Sequence, residues 1–277
     1  MQTIGAPTIT PLPSHILVSK RFKVYDKTIR DIWEAYQFHR FYLPILHGLI
    51  KKEQSPAFPI PSLGTLAKKV QKRRDTLGAI SHILSQVSPQ RSLIAAVSQS
   101  EAFLQYLVTR VLRDFPGRLL SSQPEQSTRE TKVLEILVNS VDKREMMEKL
   151  IEERVRSLFY GSPGDFFLKD KGKLGFGDYF ASHYREAVDR YTEITARRNL
   201  LIHNDARVDR KYLREVPTSP LKLGQKAIVD EAYLRGALLT LRGLCARAGT
   251  VVCEGIYSDK VKSGKMFFRT RTFKPEK

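Results

Sequence analysis

The stretch "DYFASHYREAVDRYTEITARRNLLIH", residues 178–203, carries the clearest helical pattern in the chain. Its large apolar residues recur in steps of four, four, three and three, which is the spacing of one face of an α-helix. They are Phe180, Tyr184, Val188, Tyr191 and Ile194. One more step of four falls on Arg198, and Leu201 follows three residues later. The period predicts one amphipathic helix from Tyr179 to about His203, with Arg198 at a position reserved for the core.

Most of the rest of the chain also has apolar residues at helical spacing. This spacing predicts further helices over 27–53, 90–115, 130–139, 142–159 and 229–248. Asp142, followed three residues later by Glu145, has the pattern of a helix N-cap. Pro44 is expected to kink or split the first of these helices. Strand-like alternation is confined to about 250–273, where a short hairpin is expected.

These patterns predict an all-α fold. The expected architecture is a helical bundle with an N-terminal helical extension and a short basic C-terminal tail. The segments are 1–78 for the extension, 79–250 for the helical domain and 251–277 for the tail. The chain has 277 residues, of which 42% are hydrophobic, so it can bury a sizeable core.

The charge balance points to a polyanionic partner. Lys and Arg total 47 against 29 Asp and Glu, a formal net charge of +18. Nucleic acid and an anionic membrane face are the candidate partners, and a merely basic, soluble surface is the alternative. The N-terminus lacks a signal-peptide pattern, and no apolar run approaches the roughly 20 residues of a membrane helix. We therefore expect a cytoplasmic protein, with Cys245 and Cys253 reduced.

Two segments concentrate the basic residues. "AKKVQKRR", residues 67–74, has five basic residues in eight. We predict that the five basic residues of this segment contact nucleic acid. The alternative is that they form an ordinary solvated face of a helix. They are Lys68, Lys69, Lys72, Arg73 and Arg74. The tail 251–277 is read as an electrostatic arm or as a plain solubilising tail.

Arg198 and His203 pose a geometric question. An unpaired buried guanidinium is costly, so Arg198 must meet a carboxylate, a carbonyl or a ligand anion. Glu193 and Glu186, acids of the same helix, are the expected partners along the chain. His203 lies five residues beyond Arg198, about 140° around an ideal helix, so the two do not share a face. Asn199 and His203, four residues apart, do share one.

An arginine, a histidine and an amide suit the cleavage of RNA without a metal. Histidine can take the proton of a ribose 2′-hydroxyl near neutral pH, and arginine can stabilise the charge that grows on the phosphate. Asn199 can orient the histidine or hold a phosphate oxygen. No cluster of Asp, Glu and His has the spacing of a two-metal nuclease, so we predict no metal and no cofactor. A purely structural Arg/His pair is the alternative.

The motif "RNLLIH", residues 198–203, resembles the Arg-x4–6-His motif of HEPN-superfamily domains. "EITARRNLLIHNDARVDRKYL", residues 193–213, resembles the standalone HEPN proteins of bacterial toxin and defence systems. The segments 100–119 and 146–167 are similar to the first helix of these proteins and to the helix that precedes the motif. The resemblance covers about 90–248.

The resemblance implies an all-α, HEPN-like helical bundle that forms a homodimer, with the paired motifs in a composite cleft. It implies a metal-independent endoribonuclease that leaves cyclic-phosphate and 5′-hydroxyl ends. Arg198 and His203 would be catalytic, and Asn199 would be the polar residue that follows the arginine. Arg197 is adjacent to the motif but one place off the usual register, and we predict that it contacts the nucleic acid. RNA would be the substrate, and an antitoxin or regulatory protein is a further expected partner.

The sequence departs from the family pattern at Asp205. Toxins paired with a nucleotidyltransferase antitoxin often carry a tyrosine at this place, two residues after the histidine. Many HEPN relatives are also inactive. Two alternatives therefore stay open: a non-catalytic nucleic-acid-binding module, and a scaffold in which Arg198 forms a buried structural ion pair.

Overall fold

The structure is a computed structural model that describes residues 13–52, 59–61, 68–70, 73–119, 142–158 and 161–274. In these ranges the fold is all-α, as predicted. The first helices are α1 (Ser14–Lys51), α2 (Arg73–His82), α3 (Ser88–Asp114) and α4 (Lys143–Leu158). The later ones are α5 (Asp165–Leu168), α6 (Tyr179–His183), α7 (Arg185–His203), α8 (Arg210–Glu215), α9 (Glu231–Gly255) and α10 (Gly264–Thr272).

Short irregular elements join the helices. A π-helical turn, Ile83–Val87, connects α2 to α3, and a 3-10 turn, Pro116–Leu119, follows α3. The strands β1 (Pro59–Pro61) and β2 (Lys68–Val70) form one antiparallel pair. These two strands are only three residues long, so they do not change the fold class.

The core lies where α1, α3 and α9 pack together. Phe22 and Tyr25 of α1 contact Phe103 of α3, with ring centroids 5.5 and 5.2 Å away. The Tyr25 hydroxyl hydrogen-bonds Ser100 at 2.9 Å, which satisfies both buried polar groups. Gly249 lets α10 lie directly against α9, because a Cβ atom there would fall 2.6 Å from the Met266 sulfur.

A buried ionic cluster ties three helices together. Asp26 of α1 is fully buried and accepts hydrogen bonds from Arg242 of α9, at 2.7 and 3.1 Å, and from Arg269 of α10, at 2.9 Å. Arg30 lies 3.6 Å from its other oxygen. Burial raises the pKa of Asp26, but Arg242 and Arg269 lower it by more, so it lies below the usual range.

The predicted C-terminal hairpin is wrong. The helix α9 continues to Gly255, and α10 occupies most of the remaining tail. Helical spacing persists here, since Met266 and Thr270, four residues apart, are both buried. The expected boundaries at 78/79 and 250/251 fall inside α2 and α9.

The predicted helix from Tyr179 to His203 is interrupted once. The apolar stripe is buried as expected, but Tyr184 leaves the helical region with φ −140° and ψ 29°. Its ring stacks on Phe273 at 5.7 Å, and the Arg247 guanidinium lies 5.0 Å above it. These contacts with distant residues fix the break, which local spacing does not reveal.

Three further expectations have different outcomes. Pro44 does not split α1, which runs through it without interruption. Asp142 is confirmed as a cap, because its Oδ1 accepts a hydrogen bond of 2.8 Å from the Glu145 amide. The helix expected over 130–139 lies outside the described residues.

The helix α9 is long and apolar enough to cross a membrane by length and composition, but 72% of the qualifying window is buried inside the fold. Its buried residues pack against α1, α3, α7 and α10. The helix therefore has the position of a core helix.

Candidate active site

The C-terminal half of α7 borders a cavity of about 310 Å³. The cavity lies between α3, α7, the first turn of α8 and the segment 161–166. Its polar and charged lining residues are Glu101, Tyr191, Thr195, Arg198, Asn199 and Lys211. Two of the three residues predicted to be catalytic, Arg198 and Asn199, therefore face one space.

An ion pair holds Arg198 in this cavity. Its Nη2 donates a hydrogen bond to Oε1 of Glu101, from α3, and the two side chains are 16% and 20% exposed. Burial raises the pKa of Glu101, and Arg198 only partly offsets this, so the pKa lies above the usual range. The buried Nε of Arg198 has no hydrogen-bond partner in the described part of the chain. The guanidinium thus keeps a donor for a further acceptor.

His203 lies outside the cavity. It is the last residue of α7 and is exposed, and it does not contribute to the cavity wall. Because α7 is continuous from Arg185, Arg198 and His203 are about 140° apart around the axis, as expected. Asn199 lines the cavity and shares a helix face with His203. One chain thus brings Arg198 and Asn199 together, but not Arg198 and His203.

The turn after His203 fixes where the helix ends. The amides of Asn204 and Ala206 both donate to the Leu200 carbonyl, at 2.9 and 3.0 Å. Asp205 and Ala206 have φ of 47° and 60°, a conformation that is uncommon outside glycine. The predicted end of this helix at about His203 is confirmed.

Arg197 belongs to a separate internal cluster. Its Nε donates to Glu193 at 2.7 Å, its Nη1 donates to the Ile228 carbonyl at 2.6 Å, and its guanidinium lies 4.0 Å above the Tyr233 ring. The hydroxyls of Tyr212 and Tyr233 also donate to Glu193, at 2.9 and 2.6 Å. The cluster joins α7 to α8 and α9, so these contacts give Arg197 a structural role. Its predicted contact with nucleic acid stays a prediction.

The predicted basic patch at 67–74 does not form one helix face. Lys68 and Lys69 belong to β2, and Arg73 and Arg74 begin α2. The side chains of these four residues, and all of Lys72, lie outside the described residues. Their contact with nucleic acid therefore also stays a prediction.

The sequence did not predict two charged residues of the cavity, Glu101 and Lys211. The acid that pairs with Arg198 is Glu101, 97 residues earlier, rather than Glu193 or Glu186. No local pattern marks Glu101, because its role depends on the packing of α3 against α7. Lys211 adds a second positive charge, and its Nζ lies 3.9 Å from Oε1 of Glu215. Lys211 follows the motif by eight residues, and this closeness in the sequence is the feature that could have predicted its place in the cavity.

No protein-family model, characterised protein or solved structure matches this chain. The resemblance to HEPN domains therefore rests on the motif residues and the order of the helices around them. Among the described residues, no three His, Cys, Asp or Glu side chains converge as a set of metal ligands.

Proposed function

We propose that this protein is a metal-independent endoribonuclease of the HEPN type, a cytoplasmic toxin or antiviral-defence effector. The observation that carries the proposal is the arrangement at the end of α7. Arg198 and Asn199 line a cavity, and His203 stands exposed at the last residue of the same helix. The net charge of +18 supports a polyanionic substrate.

In the proposed reaction the cavity holds the scissile phosphate. Arg198 and Lys211 supply positive charge, and Glu101 fixes the orientation of the arginine. His203 takes the proton of the ribose 2′-hydroxyl, whose oxygen then attacks the phosphorus. The bond from phosphorus to the 5′-oxygen breaks, and that oxygen receives a proton from a general acid. The products are a cyclic phosphate and a 5′-hydroxyl.

The proposed reaction needs two copies of the chain. Arg198 and His203 point to different faces of α7, so one helix cannot present both side chains directly to one phosphate. In a homodimer, the motif of a second copy would face the first and complete the cleft. Ile202, beside His203, is 45% exposed, and Ile228 is 68% exposed. Ile202 is near the end of α7 and Ile228 is in the segment before α9, and exposed apolar side chains of this size fit burial by a second subunit.

The proposal is tested by RNA cleavage in excess chelator, with the product ends identified. We expect cleavage with cyclic-phosphate ends by the wild type and its loss in a folded His203→Ala variant. His183→Ala is the matched control, because His183 is an exposed histidine on α6. Equal cleavage by His203→Ala and His183→Ala would contradict the proposal.

A second candidate function has its own support. The ion pair between Arg198 and Glu101 favours a non-catalytic nucleic-acid-binding or scaffold module in which Arg198 is structural. The scaffold predicts that Arg198→Ala unfolds the chain, and the non-catalytic binding module predicts that RNA binding survives His203→Ala. The enzyme predicts a folded, inactive Arg198→Ala variant. The double variant Arg198→Ala/Glu101→Gln removes the unpaired carboxylate, so it separates loss of folding from loss of chemistry.

A further inference from the structure

A second cavity, which we call the Arg190 cavity, lies between α7, α9 and α10. Its volume is about 250 Å³, and none of its lining residues also lines the Arg198 cavity. Four basic side chains line it, one from each helix and one from the segment after α10. They are Arg190, Arg242, Arg269 and Lys274. The acidic lining residue is Glu186, which is exposed.

Two of the four basic residues of this cavity meet at a single buried carboxylate. Arg242 and Arg269 share one counterion, Asp26, and Arg30 lies 3.6 Å from the same carboxylate. Arg242 uses Nε and Nη2 for Asp26, and Arg269 uses Nε. A guanidinium carries five N–H donors, so both arginines keep donors beyond those that Asp26 occupies.

Two glycines on one face of α9 make room for the cavity walls. A Cβ atom on Gly236 would fall 2.0 Å from Nη2 of Arg190, and one on Gly243 would fall 2.0 Å from the Phe273 ring. The two positions are seven residues apart and therefore lie on the same face of the helix. They let a guanidinium and an aromatic ring approach the α9 backbone. Leu239, 53% exposed, adds to the apolar side of the cavity.

We propose that the Arg190 cavity binds a phosphate group. Arginine presents paired donors that match the oxygens of phosphate, and several arginines around one space favour such an anion over a single carboxylate. Leu239 and Phe273 would contact the apolar part of the ligand. The volume is below the usual range for drug-sized ligands, so the ligand is a small phosphate ester or the terminal phosphate of an RNA chain.

The proposal is tested by isothermal titration calorimetry on the full chain. The probes are inorganic phosphate, AMP, and a short RNA with and without a 5′-phosphate. Arg190→Ala removes the cation that lies against the α9 backbone at Gly236, and Leu239→Trp fills the cavity from an exposed position. Arg185→Ala is the matched control, because Arg185 is an exposed arginine of α7 that pairs with Asp189 outside the cavity.

We expect phosphate or AMP to bind the wild type and the control with equal affinity. We expect each cavity variant to bind them with an affinity at least about tenfold lower. Tighter binding of the phosphorylated RNA than of its unphosphorylated form, lost in Arg190→Ala, would also support the site and assign its phosphate to RNA. Absence of binding by every probe, or equal binding by the control and the cavity variants, would overturn the proposal. His203→Ala leaves this binding intact, so the outcome is separate from nuclease activity.

Discussion

Replacing Asp26 with asparagine removes the charge that joins α1, α9 and α10. The carboxylate is fully buried and accepts three hydrogen bonds of 2.7 to 3.1 Å from Arg242 and Arg269. The two guanidiniums are themselves only 13% and 24% exposed. Asparagine keeps the size of the side chain but leaves this positive charge without a counterion.

The expected loss follows from the burial of both partners. Removing one partner of a buried ion pair costs about 3–5 kcal/mol. Asparagine can still accept one of the hydrogen bonds, and Arg269 retains some contact with solvent. We therefore expect Asp26→Asn to lower the free energy of unfolding by about 3 kcal/mol.

The assay is urea unfolding at neutral pH, followed by far-ultraviolet circular dichroism. Asp31→Asn is the matched control, because Asp31 is an exposed aspartate on the same helix. We expect it to change the free energy of unfolding by less than about 0.5 kcal/mol. If Asp26→Asn were as stable as Asp31→Asn, the ionic cluster would not hold these helices together.

Three further predictions concern stability, and urea unfolding measures each. Gly249→Ala should lower the free energy of unfolding by about 1–2 kcal/mol, because its Cβ would overlap the buried Met266 sulfur; Gly255→Ala, with open space around it, should not. Arg197→Ala should cost about 2–3 kcal/mol and Arg185→Ala less than about 0.5 kcal/mol, so equal losses would argue against the internal role of Arg197. Because the folded pKa of Asp26 is lowered, its contribution is present above the unfolded pKa and is lost as pH falls below about 4. Asp26→Asn should therefore lose less stability than the wild type on acidification, and equal losses would contradict this.

The spacing of apolar residues predicted those features of the fold that depend on a single helix. The stripe from Phe180 to Ile194 is buried, the motif helix ends at His203, and the angle between Arg198 and His203 is as expected. These features follow from helical geometry and side-chain chemistry, both of which can be read from consecutive residues.

Features that depend on packing between distant segments could not be predicted in this way. The pairing of Arg198 with Glu101 and the break at Tyr184 both arise from contacts with other parts of the fold. The alternation of apolar and polar residues near 250–273 suggested strands. The segment instead contains the end of α9 and the whole of α10, whose buried residues recur at helical spacing. Arg197 lies beside the motif, yet its contacts with Glu193 and Tyr233 place it in the separate internal cluster that joins α7 to α8 and α9.

The most direct test of the proposed nuclease is the single-turnover rate of RNA cleavage in chelator, with protein in excess over RNA. We expect cleavage by the wild type and a fall in rate of at least about a hundredfold in folded His203→Ala, the usual effect of losing a general acid or base. His183→Ala should retain the wild-type rate. An unchanged rate in His203→Ala, or no cleavage by a folded wild-type dimer, would contradict the account and favour the binding module.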